Sequence, residues 1–342
     1  MINHHNQKEQ LVWQLFGNYT QNIVFSWLTN QNLRRKIVLQ INQQNILGEF
    51  LPKTHQHSPL IFHPLAEEKI NIFLPKLQDF LNCFAKNFIS QIKITSFDNV
   101  LDVVFIGKKS LSYQQKQALT SFAFQQNINL SWHFLQQQEP LFVAKPCFIA
   151  INDLNLQVNN EVFLQASKGG LQAICQELTA FINQLNQQQP PLIADLYCGF
   201  GIYSFALHQL IKESQSFDGS QEMIDLANKN SQKQQLTNKI KAHHRDLFFN
   251  PLTQQELNKF TAVIINPPRN GASPQVLQIA KSQVKNVCYV SCNPYSLLTD
   301  LKILLDYNYR INTMHGINQF ADSKHIELVV NLTKQPTLAK HN

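Results

Sequence analysis

Cys292 ends an apolar run, Val287-Cys288-Tyr289-Val290-Ser291, and is followed at once by Asn293-Pro294. The segment from Asn286 to Ser291 reads as a buried strand. Asn-Pro closes it, because proline cannot continue a sheet ladder and the pair favours a turn. A thiol just beyond the end of a parallel strand sits where open α/β sheets bind their ligands, and its thiolate would be a strong nucleophile. A free cysteine is also among the most often buried residue types, so alone it reads equally as a small hydrophobe. The residues upstream decide between the two.

Leu192-Ile193-Ala194-Asp195-Leu196-Tyr197-Cys198-Gly199-Phe200-Gly201 reads as strand, glycine turn and helix start. Gly199 and Gly201 allow a tight turn and close approach of backbone to a ligand at a helix N-terminus. The next strand ends in Phe217-Asp218-Gly219, 17 residues past Gly201. An acid at that tip is placed to accept hydrogen bonds from ribose hydroxyls, or else to cap a helix. A third strand, Lys239 to His243, precedes Arg245-Asp246-Leu247. A fourth, Thr261 to Ile265, ends in Asn266-Pro267-Pro268-Arg269-Asn270-Gly271, and Cys292 closes the fifth. This alternation predicts an α/β, doubly wound sheet with a nucleoside cofactor at strands one to three and chemistry at strands four and five.

The elements that must position these groups begin further back. The 342 residues suggest two domains, read as an N-terminal mixed α/β domain over 1–155 and a catalytic domain over 156–335. Leu11, Leu15, Ile23 and Trp27 fall at helical spacing in 8–30. Leu33-Arg34-Arg35-Lys36 then enters a hairpin of strands Ile37 to Ile41 and Ile46 to Phe50. Further expectations are helices over Glu67 to Asn87 and Ser112 to Gln126, and strands over Val100–Ile106, Asn127–Phe134 and Phe142–Ile151. An amphipathic helix, Gly170 to Leu185, ends at a polar break from Gln187 to Pro191. Arg34, Arg35 and Lys36 read as phosphate contacts, with a charge-guarded sheet edge as the plainer alternative.

The formal net charge of +7 favours an acidic partner, of which nucleic acid is the usual one. The six cysteines form no C-x-x-C pair, so neither a zinc knuckle nor a disulfide framework is indicated. His55, His57 and His63 lack acidic or cysteine neighbours and read as solvated loop histidines rather than metal ligands. Met1 to Gln10 is polar, and no run approaches the ~20 apolar residues a bilayer requires. The expectation is a cytoplasmic monomer without membrane contact.

Five blocks together resemble the RNA uridine C5-methyltransferases, the bacterial family that makes 5-methyluridine in 23S rRNA and tRNA. They are Phe163-Leu164-Gln165, Asp195 to Gly201, Asn266-Pro267-Pro268-Arg269-x-Gly271, Ser291-Cys292-Asn293-Pro294 and His325-Ile326-Glu327. The likeness covers about 160–335 strongly and the Arg34-Arg35-Lys36 region more faintly. It implies a class I, Rossmann-like methyltransferase fold, S-adenosylmethionine as cofactor and RNA as partner, with rRNA leading and the tRNA T-loop as rival. It implies Cys292 as nucleophile and Glu327 as the base. Gln165, Tyr197, Gly199, Gly201, Asp218, Asp246 and Asn266 become cofactor contacts, and Arg269 an RNA contact.

The sequence also departs from the family. Many relatives carry four cysteines for an iron–sulfur cluster. Here only Cys83 and Cys147 precede residue 150, and His63-Pro64-Leu65 stands where Cys-Pro-Leu is common, so no metal cluster is expected. Ile202 replaces a usual Asn, and Asn318-Gln319-Phe320-Ala321 replaces a common Asp-x-Phe-Pro. Ile202 motivates a rival of another class, a non-catalytic RNA-binding relative; retention of both Cys292 and Glu327 opposes it. Asn-Pro-Pro also occurs in amino-group methylases, which want an aromatic residue where Arg269 stands.

Overall fold

The computed structural model describes residues 4–28, 33–51, 54, 56–185, 189–319 and 325–336. His55, Gln187, Phe320 and Ala321, named above, lie outside the described residues. An eight-stranded sheet carries the doubly wound pattern. Its strand order is Ile23–Trp27, Tyr309–Asn318, Glu327–Lys334, Asn286–Ser291, Ala262–Ile265, Leu192–Leu196, Glu213–Asp218 and Ile240–His244. All pairings are parallel except those of Glu327–Lys334, which runs antiparallel to both neighbours. Helices cover both faces, so the central strands are largely buried; all four residues of Ala262–Ile265 are buried.

The parallel strands therefore end along one edge, where Asp218 ends its strand and Tyr197, Asn266 and Cys292 follow theirs. The antiparallel pairing brings Glu327 to that edge from the other direction. Ser291 pairs with Leu328, one residue from each. The sequence pattern missed the strand Tyr309–Asn318, whose polar and apolar residues mix. Without it the last strand has no neighbour on its far side.

A second sheet of seven strands runs in the order His57–Pro59, Leu47–Phe50, Lys36–Ile41, Ile89–Ser96, Leu101–Gly107, Asn129–Phe134 and Gln137–Phe142. The helices Glu68–Cys83 and Tyr113–Gln126 pack on one face, around Leu39, Leu74, Ile94 and Phe105. Ser112 opens the second helix with a reciprocal capping box to Gln115.

Several boundaries move. The helix expected over 8–30 spans only His4–Phe16, and Gly17 donates its N–H back to Trp13 to end it. Ile23 and Trp27 lie instead on the first strand, which pairs with Met314 to Asn318 of the catalytic sheet. The strand expected over Phe142–Ile151 breaks at 143–146. Its second half, Cys147–Ile151, forms a separate hairpin with Leu154–Val158. That hairpin shares one core with Ile174, Ile193 and Tyr203. Apolar residues of the first helix and of the 147–158 hairpin thus pack with the catalytic half, across the boundary expected at 155/156, and the hairpin also meets Phe97 and Val100.

Candidate active site

The glycine turn builds one end of a cavity of about 870 Å³. Gly199 adopts φ +54°, a left-handed conformation that L side chains resist, and an ideal Cβ there would meet nothing within 4 Å. Its N–H donates to Oδ2 of Asp218 at 2.8 Å, and the Ser220 N–H donates to Oδ1 at 2.9 Å. Ser220, not Asp218, caps the following helix. The carboxylate is thus fixed by two backbone donors on the cavity wall, with lone pairs left for hydroxyls. Asp246 is ordered similarly: its Oδ1 accepts the N–H groups of Phe248 and Phe249 at 2.9 and 3.3 Å. Phe248 meets Tyr197 edge-on, with ring centroids 5.6 Å apart. Behind the turn, Asp195 is wholly buried, takes a 2.6 Å hydrogen bond from Ser204, and is pushed up to about 7 by burial.

The other end holds Cys292, Arg269 and Glu327, all lining the same cavity. Asn293 organises the turn after Cys292. Its Oδ1 accepts the Tyr295 N–H at the start of the helix Pro294–Asp306, and its Nδ2 donates to the Arg269 carbonyl at 2.7 Å. Asp300 braces the same loop from beneath, accepting from the Ala272 N–H, the Ser273 hydroxyl and the Tyr289 hydroxyl at 2.6–2.7 Å. Gly271 makes this possible, since a Cβ would stand 2.8 Å from Asp300 Oδ2.

Cys292 is half-buried, unlike Cys147, Cys175, Cys198 and Cys288, which are buried. Burial and then the Glu327 carboxylate push its thiol up, while the nearby Arg269 guanidinium pulls the other way. Glu327 is 3% exposed, and burial drives its carboxyl up to about 7. The Gln319 amide, 2.8 Å from Oε2, and then Arg269 oppose that shift. Arg269 therefore acts on both a half-buried thiol and a carboxyl whose titration lies near neutrality.

The cavity gathers Gln165, Tyr197, Gly199, Asp218, Asp246, Asn266, Arg269, Cys292 and Glu327. Gly201 is not on its wall. It sits at φ +81° as the N-cap of the helix Ile202–Ala206, shaping the turn from behind. Arg35 is corrected outright as a phosphate contact. It is 2% exposed, and its guanidinium is spent on the Ser96 carbonyl and Asp98. Lys36 is exposed and Arg34 half-buried. His63 is corrected too: it is buried, its Nδ1 accepts the Leu65 N–H, and its Nε2 lies 3.4 Å from Glu49. Sequence reasoning missed Phe248 and Ser220, which only their distance of two residues from Asp246 and Asp218 could have signalled, and it passed over the contacts of Gln319.

Comparisons with known proteins agree with this layout. The family model described as tRNA (Uracil-5-)-methyltransferase matches residues 36–335. An uncharacterized RNA methyltransferase of Mesorhizobium japonicum is 28% identical, over 88% of this chain and 72% of its own. A protein of Haemophilus influenzae named 23S rRNA (uracil(1939)-C(5))-methyltransferase is 26% identical, over 90% of this chain and 70% of its own. The fold is shared with the Pyrococcus abyssi tRNA (uracil-54, C5)-methyltransferase, solved with S-adenosyl-L-homocysteine. That match has a TM-score of 0.76 at 18% identity and covers 96% of this chain and 83% of the other. With the family model spanning nearly all of both sheets, the chain belongs to the tRNA (uracil-5-)-methyltransferase family, a family of RNA methyltransferases with the class I α/β fold.

Proposed function

We propose that the protein methylates C5 of a uridine in RNA, using S-adenosylmethionine, with Cys292 as nucleophile and Glu327 as base. The observation that carries this is the meeting of Cys292, Arg269 and Glu327 in the cavity that also holds the Gly199 turn and Asp218. The residues present fit the cofactor. The open space in front of Gly199 admits a ligand against backbone, and Asp218 offers acceptors to ribose hydroxyls. The buried Tyr197 hydroxyl lacks a hydrogen-bond partner among the described residues, leaving a polar group for a ligand to satisfy. When bound, the cofactor supplies an electrophilic methyl group.

The chain's own residues supply the rest. C5 of uracil is a poor nucleophile. Addition of the Cys292 thiolate to C6 turns the ring into an enolate whose C5 is electron-rich. Arg269, beside the sulfur, favours the thiolate. Once C5 carries the methyl group, Glu327 accepts the C5 proton. The electrons of that C–H bond form C5=C6, and the C6–S bond breaks to return the thiolate. The uridine must leave its stack to reach the cavity. Lys36, exposed beside Lys93 on the neighbouring strand, and Arg34 suit phosphate contact.

For the RNA, 23S rRNA is the leading substrate and the tRNA T-loop the rival. The name of the Haemophilus influenzae relative favours the first and the family description the second. Incubating protein and labelled cofactor with total RNA from a strain lacking the gene tests both. Label in 5-methyluridine is expected, and its mapped position separates rRNA from tRNA. Label in methyladenosine, or none, overturns the reading.

A further inference from the structure

A buried carboxamide joins two residues of the cavity wall. Gln319 follows directly on the strand Tyr309–Asn318 and is 1% exposed. Its Nε2 donates to Oε1 of Gln165 and to Oε2 of Glu327, both at 2.8 Å. An amide nitrogen has two hydrogens, so both are committed. The partners also fix the amide's orientation, because turning it over would set its oxygen against a carboxylate. Gln165 in turn donates to the Tyr203 hydroxyl at 3.1 Å. One residue back, the buried Lys8 of the first helix donates to Asn318 Oδ1 at 2.6 Å and anchors the segment.

This arrangement is unfavourable for the fold alone. Gln319 Oε1 is buried without a partner among the described residues, and a Cβ on Gly170 would lie 2.4 Å from it. A polar side chain kept in such a place, with its donors aimed at two residues of the cavity wall, is explained by what it holds. We propose that Gln319 is a positioning residue for the proton-removal half of the reaction, fixing the Glu327 carboxylate and locking it to Gln165 on the cofactor side. The proposal rests on the function inferred above. It separates the two halves of the chemistry. Addition of the Cys292 thiolate, once formed, to C6 and transfer of the methyl group need no base at C5. Loss of the C5 proton, formation of C5=C6 and departure of the sulfur do. Weakening Gln319 should therefore stall the enzyme after methyl transfer, while it is still bonded to RNA.

The test is single-turnover kinetics of Gln319→Leu with substrate RNA and S-adenosylmethionine. A denaturation-resistant protein–RNA complex should accumulate and its release should slow roughly 10- to 100-fold, part of the ~10²–10⁴-fold a general base contributes. The rising limb of release should also move to higher pH, because the lost donor stabilised the carboxylate form. Wild-type release and an unmoved limb overturn the proposal. So does an equal loss of trapping by 5-fluorouridine RNA, which would mark a general packing role. Should thermal melting show that Gln319→Leu does not fold, Gly170→Ala, which crowds Oε1, is judged by the same outcomes. Wild-type protein that forms neither 5-methyluridine nor the 5-fluorouridine adduct overturns the function, and this proposal with it. A failure confined to the variants overturns the positioning role alone.

Discussion

The side-chain amide of Asn293 donates to the main-chain carbonyl of Arg269 at 2.7 Å, tying the turn that carries Cys292 to the loop that carries Arg269. Two strands of the sheet thereby present one rigid unit. Asn293→Ala should lose this tie and a helix cap, costing about 1 kcal/mol of stability. It should also slow trapping of 5-fluorouridine RNA by more than its melting temperature predicts. Trapping at the wild-type rate would show that the tie is structural only.

Arg269 pulls both neighbouring groups towards their charged forms. Arg269→Gln should therefore move the pH limbs of adduct formation and of release upward together. In the wild type, overall turnover should rise through pH of about 7 as Glu327 loses its proton, and not fall there. A descending limb near neutrality would contradict the assignment of Glu327 as base.

Asp195 makes a different pH prediction. Its folded pKa, pushed up to about 7, lies above its ordinary value of 3.8. The folded state then binds more protons than the unfolded state across that interval. Its contribution to stability is complete below the ordinary value and is lost as pH rises to about 7. Asp195→Asn should flatten the decline in denaturation midpoint over that window. An unchanged profile would place the titration elsewhere.

Arg35 and Lys36, adjacent in sequence, should behave as opposites. Arg35→Ala removes a buried guanidinium from Asp98, which retains Lys168 at 2.6 Å. The expected loss is about 1–3 kcal/mol of stability. Lys36→Ala should leave the melt unchanged and reduce the salt dependence of RNA binding by about one unit of log–log slope.

Gly199→Ala should fold with a penalty of about 1 kcal/mol for its left-handed backbone. Its new methyl group would project into the open space of the cavity. Cofactor affinity, measured by calorimetry, should fall by more than RNA affinity.

Much of this was legible in the residues because chemistry and local structure coincide there. Ser291-Cys292-Asn293-Pro294 marks a strand end, a turn and a thiol on the cavity wall, and the strand Asn286–Ser291 falls where expected. Arg35 was misread because charge in a sequence does not show which way a side chain points. Strand alternation turns Arg35 inward to Asp98 and Lys36 outward. Ile23 and Trp27 fit a helical repeat and a strand equally well, and pairing with Met314 to Asn318 settled the matter. Gln319 carried no signal as a ligand-side residue, since its partners Gln165 and Glu327 are brought to it only by the tertiary fold.

The parallel pairing of Ile23 with Met314 has a consequence for how the protein is made. About 290 residues separate the partners, and at roughly 5–20 residues per second the ribosome needs about 15–60 s to bridge them. Throughout that wait the strand Ile23–Trp27 lacks the neighbour it pairs with. Its partner strand also carries the run into Gln319, so this wall of the cavity takes shape only after segments about 290 positions apart have met.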